Sequence, residues 1–370
     1  MKILLLGEFS NVHWTLAEGL RALGHEVTVV SNGDLWKGFQ ADILLKRRSK
    51  RRIDSLSYLG RVLLTLPRLR GYDVVQFINP DFLELRTERL LAIYRYLRRH
   101  NGKLFLGAFG NDYYWTRACL DPARFRYSDF YLNGERRITP YTEQVIAEWI
   151  GSPKEHTNRL MAEDADGIVA GLYEYYASYA PEFPEKTVFI PFPIQRSVIA
   201  SAVSAEVPAK VNFFLGIQRD RVDVKGAEVL ERALDRIAAR YPERCIASKA
   251  VSVPYEQYKE MIRSADLLLD QIYSYTPAMN ALLGMARGLV VVGGGEEENY
   301  DILGERELRP IINVLPDEED IYRKLEALAL HPERLPELKR QSVEYIKRHH
   351  DYIKVAQEYV RFWQGKATAK

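Results

Sequence analysis

A chain of 370 residues with 47% hydrophobic and 28% charged content is long enough for two globular domains, and this composition excludes wholesale disorder. Its 52 Lys and Arg against 50 Asp and Glu leave a formal net charge of +2, so the global charge makes no case for nucleic-acid binding. The two cysteines, Cys119 and Cys245, supply neither a disulfide framework nor a thiolate metal cage, and a reducing compartment fits.

The opening MKILLLGEFS reads as a first buried strand rather than a signal peptide, and no apolar run reaches the roughly 18 residues of a spanning helix. KILLLG (2–7), the helical HWTLAEGLRAL (13–23) and the strand HEVTVVS (25–31) make a βαβ start, which predicts a parallel, doubly wound sheet. DVVQFI (73–78) and KLFLGAF (103–109) extend it around the helical 85–100. From 116 to 154 the chain turns polar and aromatic, which predicts helices and loops. ADGIVAG (165–171) resumes the sheet, and TVFIPFPI (187–194) reads as a hinge. A second βα series follows: VNFFLGI (211–217), the amphipathic 225–241, and strands at 265–272, 288–294 and 310–315, with long amphipathic segments at 319–330 and 335–363.

Four stretches carry candidate chemistry. GEFSNVH (7–13) joins strand to helix at the edge where open α/β sheets hold ligands, with Gly7 allowing the turn and His13 in the first helical turn. It is not a dinucleotide fingerprint, because Glu8 would repel a pyrophosphate. LGIQRDRVDVKG (215–226) offers Arg219, Arg221 and Lys225 to a diphosphate beside a helix start; a solvated loop is the equal alternative. In GNDYYW (110–115), Asn111 and Asp112 suit sugar hydroxyls above an aromatic platform, or else an Asx turn over packed aromatics. KRRSKRR (46–52) holds six cations in seven residues beside the apolar 58–69, a pattern that suits an anionic membrane surface, with a plain solvated face as the alternative. Asp164 and Asp166 suit turns better than a metal, the adjacent His349 and His350 point in different directions, and no metal is expected.

The order of these stretches resembles that of the retaining, nucleotide-sugar-dependent glycosyltransferases of the GT-B fold, family 4 in particular. The likeness is strongest in LAEGLRALGHEVTVVS (16–31), LGIQRDRVDVKGAEVLERAL (215–234) and SADLLLDQIYSYTPAMNALLGMARGLVVVGGG (264–295). The resemblance implies two Rossmann-like domains facing across a cleft. The N-terminal one (1–192) would take the acceptor and the second (193–345) the nucleotide-diphosphate-sugar, with a last helical segment (346–370) packing back on the first. It implies that Lys225, with Arg219 or Arg221, meets the donor diphosphate, that Gly7 and His13 face donor phosphate and sugar, and that Asn111 and Asp112 lie near the sugar or acceptor. No cofactor or divalent metal is implied. The family's two glutamates, with seven residues between them, fall on Tyr275 and Leu283, so both are absent here. Ser274, Tyr275 and Thr276 are then expected to orient the donor sugar, and Glu297, from the run 296–298, to return a carboxylate.

The function expected on this footing is transfer of a sugar to a glycan or lipid-linked glycan acceptor with retention, in polysaccharide biosynthesis. The setting expected is cytoplasmic, peripheral at the inner membrane face through residues 46–70, with no nucleic-acid partner. The missing glutamates keep open a catalytically inactive GT-B-like binding or partner protein, and an epimerase on the same scaffold.

Overall fold

The computed structural model describes residues 1–34, 37–219 and 222–365. They form two compact units: Met1–Ala118 with Val145–Pro193 and Tyr352–Lys370, and Cys119–Gln144 with Ile194–Asp351. In chain order the strands are β1 (Lys2–Leu6), β2 (Glu26–Ser31), β3 (Ile43–Leu44), β4 (Val74–Phe77), β5 (Lys103–Ala108), β6 (Tyr131–Leu132), β7 (Glu135–Arg136), β8 (Gly167–Ala170), β9 (Thr187–Phe189), β10 (Val211–Ile217), β11 (Cys245–Val251), β12 (Leu267–Leu269), β13 (Val290–Gly293) and β14 (Ile312–Asn313). Both units are Rossmann-like α/β lobes built on parallel sheets, the expected fold class.

The first unit carries a seven-stranded sheet in the order β3-β2-β1-β4-β5-β8-β9, every pair parallel. Parallel strands with helices on both faces read as unbroken apolar runs, and Ile3, Leu4, Leu5 and Leu6 are each 0% exposed. Helix Val12–Ala22 packs on the final helix, Tyr352–Trp363, so closely that a Cβ on Gly19 would lie 2.4 Å from the Tyr352 carbonyl oxygen. The expected continuous segment 335–363 is two helices, Leu335–His349 and Tyr352–Trp363. At the break the Ile194 amide donates to the His350 carbonyl (2.7 Å) and Asp351 pairs with Arg196.

The second unit has a five-stranded parallel sheet, β11-β10-β12-β13-β14. Helix Ala227–Arg240 lays Leu230, Ala233, Leu234 and Ile237 on it, all 0% exposed. Strand β11 escaped the sequence reading because it is an edge strand with a polar centre: Lys249 reaches Glu231 (2.9 Å) and Asp235 (2.7 Å) instead of core. Cys119–Gln144 groups with this unit and contributes the antiparallel pair β6-β7.

Candidate functional site

Each sheet reverses its strand order once, between β1 and β4 in the first unit and between β10 and β12 in the second. Open α/β sheets hold ligands outside the carboxyl ends of their strands at such points. The sequence candidates fall on these edges, and their surroundings differ.

In the first unit Gly7 turns the chain with φ +84°, and a Cβ there would lie 2.3 Å from Ile78 Cγ2. The turn returns Glu8 to the start of helix Val12–Ala22, where its carboxylate accepts from the backbone N–H groups of His13 (3.2 Å) and Trp14 (2.8 Å). The chain thus fills this helix terminus with its own carboxyl group. Burial pushes the Glu8 carboxyl up to about 8. His13 is 0% exposed, donates from Nδ1 to the Gly7 carbonyl (2.8 Å), and is held neutral by burial, its pKa lowered to about 3. It packs in the interior and presents no surface to a ligand. Beside this turn is a cavity of about 210 Å³ whose lining includes Asn32 and the acidic side chains of Glu8, Asp81 and Glu84.

Asp112 is fully buried. One carboxylate oxygen accepts from the Trp115 amide (2.8 Å) and the other from the Tyr179 hydroxyl (2.8 Å), and burial raises its pKa to about 7. Tyr113, Tyr114 and Trp115 are buried too, so 110–115 is the Asx turn over packed aromatics, not an aromatic platform. Asn111, half-buried, is the member of the pair nearer the surface. The pair Asp164 and Asp166 clasps Arg98 at 2.8 and 2.5 Å.

In the second unit Arg219 is exposed on the loop after β10, and Arg221 lies outside the described residues. Lys225 sits in the short turn Val222–Lys225, followed by Gly226 at φ +67°, where a Cβ would strike Ile272 at 2.4 Å. Its side chain is 36% exposed, and its ammonium pairs with Asp270 Oδ1 at 3.0 Å. Asp270 follows β12 directly, is 4% exposed, and accepts on the same oxygen from Asn280 (3.0 Å), whose own oxygen accepts from the Tyr258 hydroxyl (3.0 Å). Asp270 and Asn280 were not singled out from the sequence, although a carboxylate at the end of the apolar run ADLLLD was the available signal.

Tyr275 is 2% exposed: Tyr127 stacks on it with ring centroids 4.9 Å apart, and its hydroxyl accepts from the Arg126 amide (2.6 Å). The Ser274 hydroxyl donates to the Thr276 carbonyl (2.6 Å). Glycines 293–295 serve packing: Cβ atoms there would meet the Gln271 carbonyl at 3.0 Å, the Ser274 carbonyl at 2.1 Å and Ile311 at 2.5 Å. Their loop is therefore not an open cradle of amides, since Gly294 donates to the Gln271 carbonyl and Gly295 to Asn313. Of the three carboxylates, Glu297 is the most exposed at 72% and pairs with Arg309 (3.1 Å). Glu296 and Glu298 are the inward ones, at 12% and 25%, both on Arg126.

Among the described residues no group of three or more His, Cys, Asp or Glu is arranged to hold a metal, and no helix is long and apolar enough to cross a membrane.

No family model and no curated protein sequence matches the chain. Solved structures match it over nearly its whole length. HepE of Anabaena in complex with UDP-glucose superposes with a TM-score of 0.60 at 12% identity, covering 99% of this chain and 100% of that one. Sucrose-phosphate synthase from Thermosynechococcus elongatus gives 0.59 at 12%, covering 99% of each. WaaG, a glycosyltransferase of lipopolysaccharide biosynthesis, gives 0.55 at 14%, covering 99% and 100%. At these identities the likeness is one of fold: the chain has the two-lobed architecture that these proteins share.

Proposed function

We propose that the chain is a glycosyltransferase that takes a sugar from a nucleotide-diphosphate-sugar and passes it, with retention, to a glycan or lipid-linked glycan. The observation that carries this reading is Lys225, part-exposed at the carboxyl-end switch point of the second sheet, with Arg219 exposed on the same loop. The full-length likeness to proteins solved with UDP and UDP-glucose supports it. Lys225, Arg219 and Arg221 would stabilise charge on the departing diphosphate, where charge develops most. Asn111 and the loop 274–276 would orient the sugars, and Asp112, being buried, would act by holding the turn that carries Asn111. The donor domain of this reading is 193–345 with Cys119–Gln144 added, and 1–192 without that segment takes the acceptor.

Calorimetry with uridine, guanosine, adenosine and cytidine diphosphates and their sugars tests the reading. One base should bind selectively, and Lys225→Ala should weaken it roughly tenfold or more, the scale of a lost charged hydrogen bond. Unchanged binding in that variant rejects the assignment. Tyr275 and Leu283, standing where the family has glutamates, favour a second reading, an inactive nucleotide-binding partner protein. Binding without turnover across donors and acceptors would select it, and the same panel exposes epimerisation.

We also propose that the first unit docks on an anionic membrane surface at the inner face. Helix Arg52–Thr65 buries Tyr58, Val62 and Thr65 and turns Ile53 (75% exposed), Leu56 (66%), Leu63 (52%) and Leu64 (80%) outward. The cations of 46–52 run directly into this apolar face. Each cation near an anionic surface is worth about 1 kcal/mol, to which inserted leucines add. Sedimentation with phosphatidylglycerol vesicles should be strong for the native chain and lost on reversing Arg47, Arg48, Arg51 and Arg52. Equal sedimentation of the two removes the claim.

A further inference from the structure

We propose that Cys119–Gln144 is a strap closed over the loop 273–276, latched by Arg126, and that a donor binds only when it lifts. This inference rests on the donor-site reading above and adds its regulation.

The chain leaves the first unit's sequence at Cys119 and returns to it at Val145, yet the stretch between groups with the second unit. Two sets of contacts among the described residues hold it there. At the first, the Arg126 guanidinium bonds Glu296 (3.0 Å) and Glu298 (3.2 Å, with a second, shorter contact) and lies 4.8 Å over the Tyr275 ring. Its neighbour Tyr127 donates to the other oxygen of Glu296 (2.7 Å) while stacking on Tyr275. At the second, the Arg137 guanidinium lies 3.6 Å over the Tyr273 ring and donates to the Asp223 carbonyl (3.1 Å).

Closed, the strap leaves a sugar little to bind. Tyr275 is 2% exposed, its ring stacked by Tyr127 and its hydroxyl bonded to the Arg126 amide (2.6 Å), and Thr276 beside it is also 2% exposed. Phe125 and Tyr127, 3% and 4% exposed, make closure the resting position by burying aromatic surface. How often the strap lifts depends on the latch. The Arg126 side chain is 56% exposed, so water and salt screen its ion pairs and each contributes little. Apart from β6-β7, no sheet ladder among the described residues fixes the segment, and segments held in this way open locally before the core does. A site open only part of the time binds with its affinity reduced by the open fraction. Weakening the latch therefore strengthens apparent donor binding.

The test is hydrogen–deuterium exchange and titration with the uridine, guanosine, adenosine and cytidine diphosphates and their sugars on the full chain, comparing native protein with Arg126→Ala and the milder Glu298→Gln. The strap account expects faster exchange in 119–137 and 273–278, unchanged exchange in β10, and apparent nucleotide affinity raised roughly fivefold. Unchanged exchange in those segments overturns it, as does nucleotide binding that is unaltered or weaker in both variants. If no nucleoside diphosphate binds any of the three proteins, the donor-site reading fails and the gating with it; binding insensitive to the latch sinks the strap alone.

Discussion

The two sheet edges differ in what the chain has already placed on them. In the first unit Glu8 is turned onto the backbone amides of a helix start, His13 is sealed beneath it, and the neighbouring cavity has a largely apolar lining that includes Asp81 and Glu84. In the second unit a carboxylate, Asp270, also meets the positive group, but Lys225 remains part-exposed and Arg219 stands beside it. An anion arriving at the first edge finds the helix-start amides already taken by Glu8, whereas one arriving at the second finds Lys225 part-exposed and Arg219 exposed. Equivalent positions in two similar folds thus differ in what they leave open, and the proposed diphosphate site is the second.

The largest effect expected from this contrast is on nucleotide binding. Lys225→Ala should cost roughly tenfold or more in affinity, while Glu8→Gln should leave it unaltered; equal losses in the two variants would erase the distinction. Next comes pH. The buried Glu8 and Asp112, raised to about 8 and about 7, hold their protons in the folded state at pH values where the unfolded chain has released them. Stability should therefore fall as pH rises from about 4 to about 8. Denaturant midpoints should show a flatter profile in Glu8→Gln and in Asp112→Asn, and native-like slopes in both would contradict the burial argument. A smaller effect separates the outward and inward faces of helix Arg52–Thr65. Leu64→Asp, at an 80% exposed site, should move stability by no more than about 0.5 kcal/mol yet weaken vesicle binding. The smallest concerns the acidic run: Glu297→Gln should leave exchange in 273–278 as it is, whereas Glu298→Gln should quicken it.

The fold was legible where one rule governed a segment. β1, β10 and helix Ala227–Arg240 announced themselves because buried parallel strands and amphipathic helices leave plain patterns. β11 did not, since an edge strand answers to solvent and to Glu231 and Asp235 as much as to the core. The candidate site was legible in its cations but not in their partners. Asp270 meets Lys225 only because β10 and β12 are neighbours, a fact of topology. Arg126 meets Glu296 and Glu298 across more than 160 residues of chain, and no local pattern encodes such a meeting. The glycines 293–295 illustrate the opposite error: a glycine run suggests a cradle for a ligand, yet here each glycine makes room for Gln271, Ser274 or Ile311.

The most direct test of the account is calorimetric titration of the native chain and of Lys225→Ala with the four nucleoside diphosphates. The account predicts that one base binds the native chain selectively and that the variant loses that binding by an order of magnitude or more. No binding of any nucleotide to the native chain, or identical isotherms for the two proteins, would contradict it.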